Sequence, residues 1–281
     1  MKRILFIFII SINLHAGIVN SDDRHEISDS PIEIQDISKS IAALIPKSRV
    51  QKLEDGRFKL SGLSYIDDFN FCKDENFVST QRLIANCSAS LVGRNKIATA
   101  AHCIDDEQGY SINDYYIVFD YTYNGEAMDE LILERNSVYE IKSLLQHTFD
   151  FPGDKDVALL ELKENVEGRA PLRIAKNRIK EGSEIFMLGF PLGLPMKYHD
   201  NGFVTSSTTN LKGQSSFTHN LDTFSVNSGS SIFSSKTNEI IGILVRGTGM
   251  NYEMKDEKKC NTWGRGDHHS GEANYIDLLD I

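Results

Sequence analysis

A succession of short apolar runs, broken by Gly, Asn, Asp or Lys, is the feature that most limits how this chain folds. The runs fall at residues 41–45, 88–92, 96–101, 115–121, 138–145, 157–162, 184–190, 216–219, 231–233 and 240–245. Many are rich in β-branched and aromatic residues, and runs this short between turn residues read as strands. No amphipathic stretch is long enough for a stable helix of about 12 residues. Many short strands joined by loops predict antiparallel sandwiches or barrels rather than alternating β-α units. No internal repeat or low-complexity tract interrupts the pattern. Residues 164–171 (ENVEGRAP) are charged and carry Gly and Pro, so they are the expected break between two halves.

The 281 residues supply enough core for one two-part domain or two small ones. With 30 Lys and Arg against 40 Asp and Glu, the formal charge is −10. A chain this acidic lacks the basic face that phosphate neutralisation needs, so nucleic acid is not an expected partner. Lys2 and Arg3 precede an almost wholly apolar stretch at 4–12, and small Ala16 then leads into Gly17. That is the layout of a secretory signal peptide over residues 1–16, which places the chain in a secreted or periplasmic setting. The stretch is too short to span a bilayer, and no later one reaches the length of a membrane helix. Residues 17–40 are polar and acidic and read as an N-terminal arm or pro-segment.

Export makes the cysteines readable. Cys72, Cys87, Cys103 and Cys260 are even in number, and in an oxidising compartment they predict two disulfides, with three pairings open. The absence of any C-x-x-C pair argues against a zinc ribbon or a thioredoxin-type site.

Three segments carry chemistry. Ala98-Thr99-Ala100-Ala101-His102-Cys103 ends a strand; Asp154-Lys155-Asp156-Val157-Ala158-Leu159-Leu160 opens one; Phe224-Ser225-Val226-Asn227-Ser228-Gly229-Ser230-Ser231 precedes another. Alone, each reads as a structural histidine, a strand-start carboxylate and a Ser/Gly loop. Together they supply what a serine nucleophile requires: an imidazole to take its proton and a carboxylate to orient that imidazole.

In the order His102, Asp156, Ser228, these segments resemble the chymotrypsin-like (trypsin-like) serine proteases. The resemblance is nearest to the bacterial glutamyl endopeptidase branch. Asn227-Ser228-Gly229-Ser230 matches that branch's N-S-G-S, Asp23 to Asp29 (DRHEISD) its D-R-H-x-I-x-D, and Gly189-Phe190-Pro191 its G-Y-P. It implies an all-β fold of two antiparallel six-stranded Greek-key β-barrels with the active site between them. Residues 41–165 would form the first barrel, with His102 and Asp156; residues 166–281 would form the second, with Ser228, and the C-terminal tail. It implies a secreted serine endopeptidase acting through an acyl-enzyme on protein or peptide substrates, as a monomer, with no cofactor and no metal. It also implies the bridge Cys87–Cys103 behind the catalytic His, which leaves Cys72 to pair with Cys260.

Several positions depart from the family pattern. The oxyanion hole would be formed by the backbone N–H groups of Val226 and Ser228, yet the family has Gly where Val226 stands. A β-branched residue takes φ > 0 at a cost, so a catalytically inactive, protease-like binding module is the alternative reading. Ser231 replaces a Pro. Asn227 cannot receive a new N-terminal ammonium, so the likeness of Gly17-Ile18-Val19 to an activated trypsin N-terminus is read as a coincidence of leader cleavage. The substrate pocket is assigned to Asp222, Thr223 and Arg246. Leu244 replaces the His with which glutamyl endopeptidases read a carboxylate, so Asp222 is expected to face outward and favour Arg or Lys. Asp267, His268 and His269 read as a polar loop rather than a metal site, and His25, His147, His199 and His219 as structural.

Overall fold

The computed structural model describes residues 17–19, 21–128, 130–150, 155–207, 215–247, 252–266 and 271–281. Residues 1–16, expected to be a signal peptide, and Asp267, His268 and His269, expected to be a polar loop, lie outside the described residues.

Arg24–Glu26 forms a short strand, β1. It is followed by Ile41–Pro46 (β2), Cys87–Leu91 (β3), Lys96–Thr99 (β4), Tyr115–Val118 (β5), Val138–Phe149 (β6) and Asp156–Leu162 (β7). Pairing runs β5-β6-β7-β4-β3-β2 and closes back on β5, antiparallel throughout. The second half supplies Glu184–Gly189 (β8), Lys197–Ser206 (β9), Ser216–His219 (β10), Ser231–Ser234 (β11), Ile240–Arg246 (β12) and Gly271–Tyr275 (β13). These close as β8-β11-β12-β13-β10-β9, with β1 added along β9. The fold is therefore two closed six-stranded antiparallel barrels, as the family resemblance implies.

The strands form where burial rewards them. Val157 to Leu160 are at most 2% exposed, which explains why β7 reads as a nearly continuous apolar run. The long strand β6 absorbs two register shifts, between Ile141 and Ser143 and between Leu144 and Gln146. Bulges of this kind bend a strand around a barrel. Strands β9 and β13 are absent from the expected set. The sequence of β9, KYHDNGFVTS, hides its period because Lys197 and His199 point inward and are fully buried. The Lys197 amine donates to Glu26 Oε2 (3.0 Å), Gln81 Oε1 (2.8 Å) and the Pro195 carbonyl (3.1 Å). Burial pushes its pKa down to about 8, against the pull of Glu26.

Among the described residues, helix is confined to single turns and two short segments, α1 (Ile32–Ser38) and α2 (Tyr65–Phe69). Ser64 caps α2 by accepting from the Asp67 N–H (3.2 Å). No helix among the described residues is long and apolar enough to cross a membrane. Beside the barrel cores lies a small third cluster that includes Ile18, Tyr65, Phe71, Phe224 and Trp263. It joins the N-terminal arm, α2 and the hairpin of Tyr252–Lys255 with Cys260–Trp263. The disulfide Cys72–Cys260 clamps it, and Cys87–Cys103 ties β3 to the turn after β4. Both bridges are those the resemblance implies, and no cysteine is free.

The Cys72–Cys260 bridge closes a loop with a sequence separation of 188 residues, so it removes much freedom from the unfolded chain. Replacing both cysteines by Ala is expected to lower stability by about 2–5 kcal/mol, read from urea unfolding. A loss below about 0.5 kcal/mol would show that the third cluster holds without its clamp.

Candidate active site

His102 sits on the single 3₁₀ turn Ala101–Ile104 that follows β4, and Asp156 is the first residue of β7. The pairing of β4 with β7, Thr99 opposite Ala158, brings the two together. Asp156 holds His102 twice: its Oδ2 lies 2.6 Å from ring Nδ1, and its Oδ1 accepts the His102 backbone N–H at 2.9 Å. Asp156 is 2% exposed, and its own backbone N–H donates to Asn274 Oδ1 (2.6 Å) on β13. The ring is thus pinned through Nδ1, which leaves Nε2 as the ring nitrogen that Asp156 does not engage.

Ser228 lies in the turn before β11, half-buried. Its carbonyl accepts the Ser88 N–H from β3 (2.8 Å) and stands 3.8 Å from Cys103 Sγ, next to His102 in sequence. Gly229 follows at φ +86°, and a Cβ there would sit 1.9 Å from the Ser88 carbonyl oxygen. Both the backbone angle and the space exclude any other residue. Ser230 Oγ donates to Ser88 Oγ (3.0 Å), and Ser231 Oγ pairs with Ser90 Oγ (2.6 Å). The Ser that replaces the family's Pro therefore becomes a buried hydroxyl contact between the barrels. Among the described residues the Ser228 hydroxyl makes no hydrogen bond.

Val226 adopts φ +72°, the left-handed conformation that Gly would take at no cost. For a β-branched residue this costs about 1–2 kcal/mol. Its partly buried side chain packs against the main core, which offsets part of that cost. The backbone N–H groups of Val226 and Ser228 donate to no partner among the described residues. One is the amide of Ser228 itself and the other lies two residues before it.

The pocket residues need a correction. Asp222 does not face outward: it is 3% exposed, and its carboxylate accepts the backbone N–H of Val19 (2.7 Å) and of Asp23 (3.2 Å). Both of these donors belong to the N-terminal arm, which packs against the Asp222 carboxylate. Gly17 bridges to Thr223, and Ile18 is fully buried, paired with Arg265. The Gly17-Ile18-Val19 segment is thus a packed element of the site's underside. Thr223 is 2% exposed. Arg246 pairs with Glu272 Oε2 (3.1 Å) and lines a cavity of about 540 Å³ with His102, Asp105, Glu107, Phe149 and Val245. Cys87, His102 and Cys103 cluster at metal-ligand distance, but both sulfurs are spent in the disulfide, so the group does not fit a metal. Asn274, Ser88, Ser90 and Val19 were not readable as site residues, because nothing local marks a partner that far away in sequence.

Burial pushes the Asp222 carboxyl up to about 7, against the lowering effect of its two N–H donors. The folded state therefore holds this proton more tightly than the unfolded chain. Its contribution to stability is complete below the unfolded carboxyl range and is lost as pH rises through about 7. The melting temperature of Asp222→Asn minus that of wild type is expected to grow more positive between about pH 4 and pH 8. A difference independent of pH would show that Asp222 is not held in this way.

Among solved structures, the Vibrio cholerae VesB protease aligns with a TM-score of 0.53 at 13% identity, covering 94% of this chain and 64% of that one. A Glu endopeptidase in complex with MPD aligns at 13% identity and a TM-score of 0.49, covering 92% of both chains. At such identities the VesB likeness speaks for the fold alone. The trypsin-like peptidase domain family matches residues 87–243, a span that holds His102, Asp156 and Ser228. Because that match takes in more than half of the sequence and both barrels contribute to it, the chain belongs to the trypsin-like peptidase family.

Proposed function

We propose that this protein is an exported serine endopeptidase. The observation that carries the reading is the double hold of Asp156 on His102, through ring and backbone, which fixes the imidazole for one task. Ser228 Oγ attacks the scissile carbonyl while His102 Nε2 takes its proton. Asp156 keeps Nδ1–H in place and stabilises the imidazolium that forms. The N–H groups of Val226 and Ser228 receive the oxyanion, His102 returns the proton to the leaving amine, and water then cleaves the acyl-enzyme by the same route. Export is supported by the leader-like residues 1–16 and by the pairing of all four cysteines.

One observation favours a second reading, an inactive secreted binding module: the strained Val226 at the oxyanion position. A fluorophosphonate probe separates the two. Wild type is expected to label at Ser228 and to hydrolyse casein, and Asp156→Asn is expected to slow labelling by about 10³–10⁴-fold. Labelling that arises only in Val226→Gly would establish the binding module. Mass spectrometry of the exported chain is expected to find Gly17 at its N-terminus.

A further inference from the structure

Asp156 has a second anchor, and it comes from the other barrel. Its carboxylate is engaged by His102, through ring Nδ1 at Oδ2 and through the backbone N–H at Oδ1. Its own backbone N–H points instead to β13, where Asn274 Oδ1 accepts it at 2.6 Å, across 118 residues of sequence. Asn274 is fully buried.

A buried primary amide is costly unless both of its ends are used. Those of Asn274 are used. Oδ1 takes the Asp156 N–H, and Nδ2 donates to the Ser215 carbonyl (3.4 Å), which also accepts the Tyr275 N–H (3.0 Å). The two bonds fix which way round the amide sits. Turned over, it would set its NH2 against the Asp156 N–H and its oxygen against the Ser215 carbonyl. The acceptor is therefore aimed at Asp156 by the second barrel.

The strand end that carries Asp156 has need of such a hold. Asp156 opens β7 opposite Phe149 of β6, but β4 pairs with β7 only from Ala158 onward. Val245 of β12 lines the same cavity as His102 and Asp156, and its side chain has no polar atom to offer them. Asn274 is also in register with the nucleophile. It stands opposite Ile243 on β12, and Ile243 stands opposite Ser231, three residues after Ser228.

We propose that Asn274 is a positioning residue for the triad. By holding the Asp156 backbone it fixes the carboxylate that orients His102, and it ties that orientation to the barrel that carries Ser228. Its action passes through Asp156 alone. This rests on the endopeptidase reading above. Ser88 reaches from the first barrel to the Ser228 carbonyl, and Asn274 reaches back from the second barrel to Asp156.

The test compares three variants of the full chain. Asn274→Leu and Asn274→Ala remove the acceptor, with and without keeping the volume; Asn274→Asp restores an oxygen at the same place. Two readouts are taken: kcat and KM on one peptide substrate, and the low-field NMR resonance of the His102 Nδ1 proton, which reports the bond to Asp156. In the Leu and Ala variants kcat is expected to fall by about 10- to 100-fold while KM stays within about threefold. The Nδ1 proton is expected to move upfield and to exchange faster with solvent. Asn274→Asp is expected to recover most of both. Where one of the Leu and Ala variants does not fold, the other carries the comparison.

A lower melting temperature with kcat and the resonance unchanged would make Asn274 a packing residue only and overturns the proposal. A loss of kcat without a change in the resonance overturns it too, as does an Asp variant no better than the Ala one. If wild type neither turns over peptide nor labels with fluorophosphonate, the endopeptidase reading falls and the resonance decides alone. A change in Asn274→Ala that Asn274→Asp reverses then sustains the hold on Asp156, and no change overturns it.

Discussion

The two barrels meet where Ser88 on β3 donates its backbone N–H to the Ser228 carbonyl, and the placement of the chemistry depends on that joint. Gly229 lies so close to the Ser88 carbonyl that no side chain fits between them. The Ser230–Ser88 and Ser231–Ser90 hydroxyl pairs extend the contact, and the Gly229 N–H fixes the loop to the Leu244 carbonyl of its own barrel. His102 is set from the other side by the Cys87–Cys103 bridge, anchored in the same strand as Ser88. One strand therefore registers the imidazole of one barrel against the serine of the other. Such precision requires rigid elements rather than free loops.

Buried charge follows one rule throughout: each group is given donors or a counter-ion. Asp156 has a donor on each oxygen, Asp222 has two arm amides, and Lys197 has three acceptors. Arg24 makes a bidentate pair with Asp22 (2.7 and 2.9 Å), with its guanidinium over Phe224 (4.5 Å) and Trp263 (4.6 Å). A buried ion without such partners would cost several kcal/mol. The D-R-H segment is thus a set of ties: it fastens the arm to β9, to the third cluster and to the run that leads into the nucleophile. That use of Asp222 turns its carboxylate toward the arm rather than outward.

Val226 is the place where a local rule is broken. Its left-handed backbone is dictated by the turn, and its side chain is retained by packing against the core. Local conflicts of this kind concentrate at working sites, where surrounding contacts over-determine the conformation. Here the result is a pair of unpaired amides beside Ser228.

The strand-length runs, the turn residues between them and the three segments around His102, Asp156 and Ser228 were legible because each is local. A period of two, a Gly at a tight turn and a motif all act within a few residues. The family resemblance then extended those segments to two barrels and both disulfides. Strand β9 was not legible, because its inward Lys197 and His199 read as surface residues until Glu26 and Gln81 are brought to them. The direction of the Asp222 carboxylate was misread for the same reason: it is set by Val19 and Asp23, about two hundred residues earlier in the chain. Sequence alone determined most of the barrel strands and the three chemical segments, because those are fixed by local pattern, and family likeness supplied the two bridges. Only the tertiary structure decided which buried polar groups are satisfied and which still lack a partner, because that balance depends on contacts between distant segments.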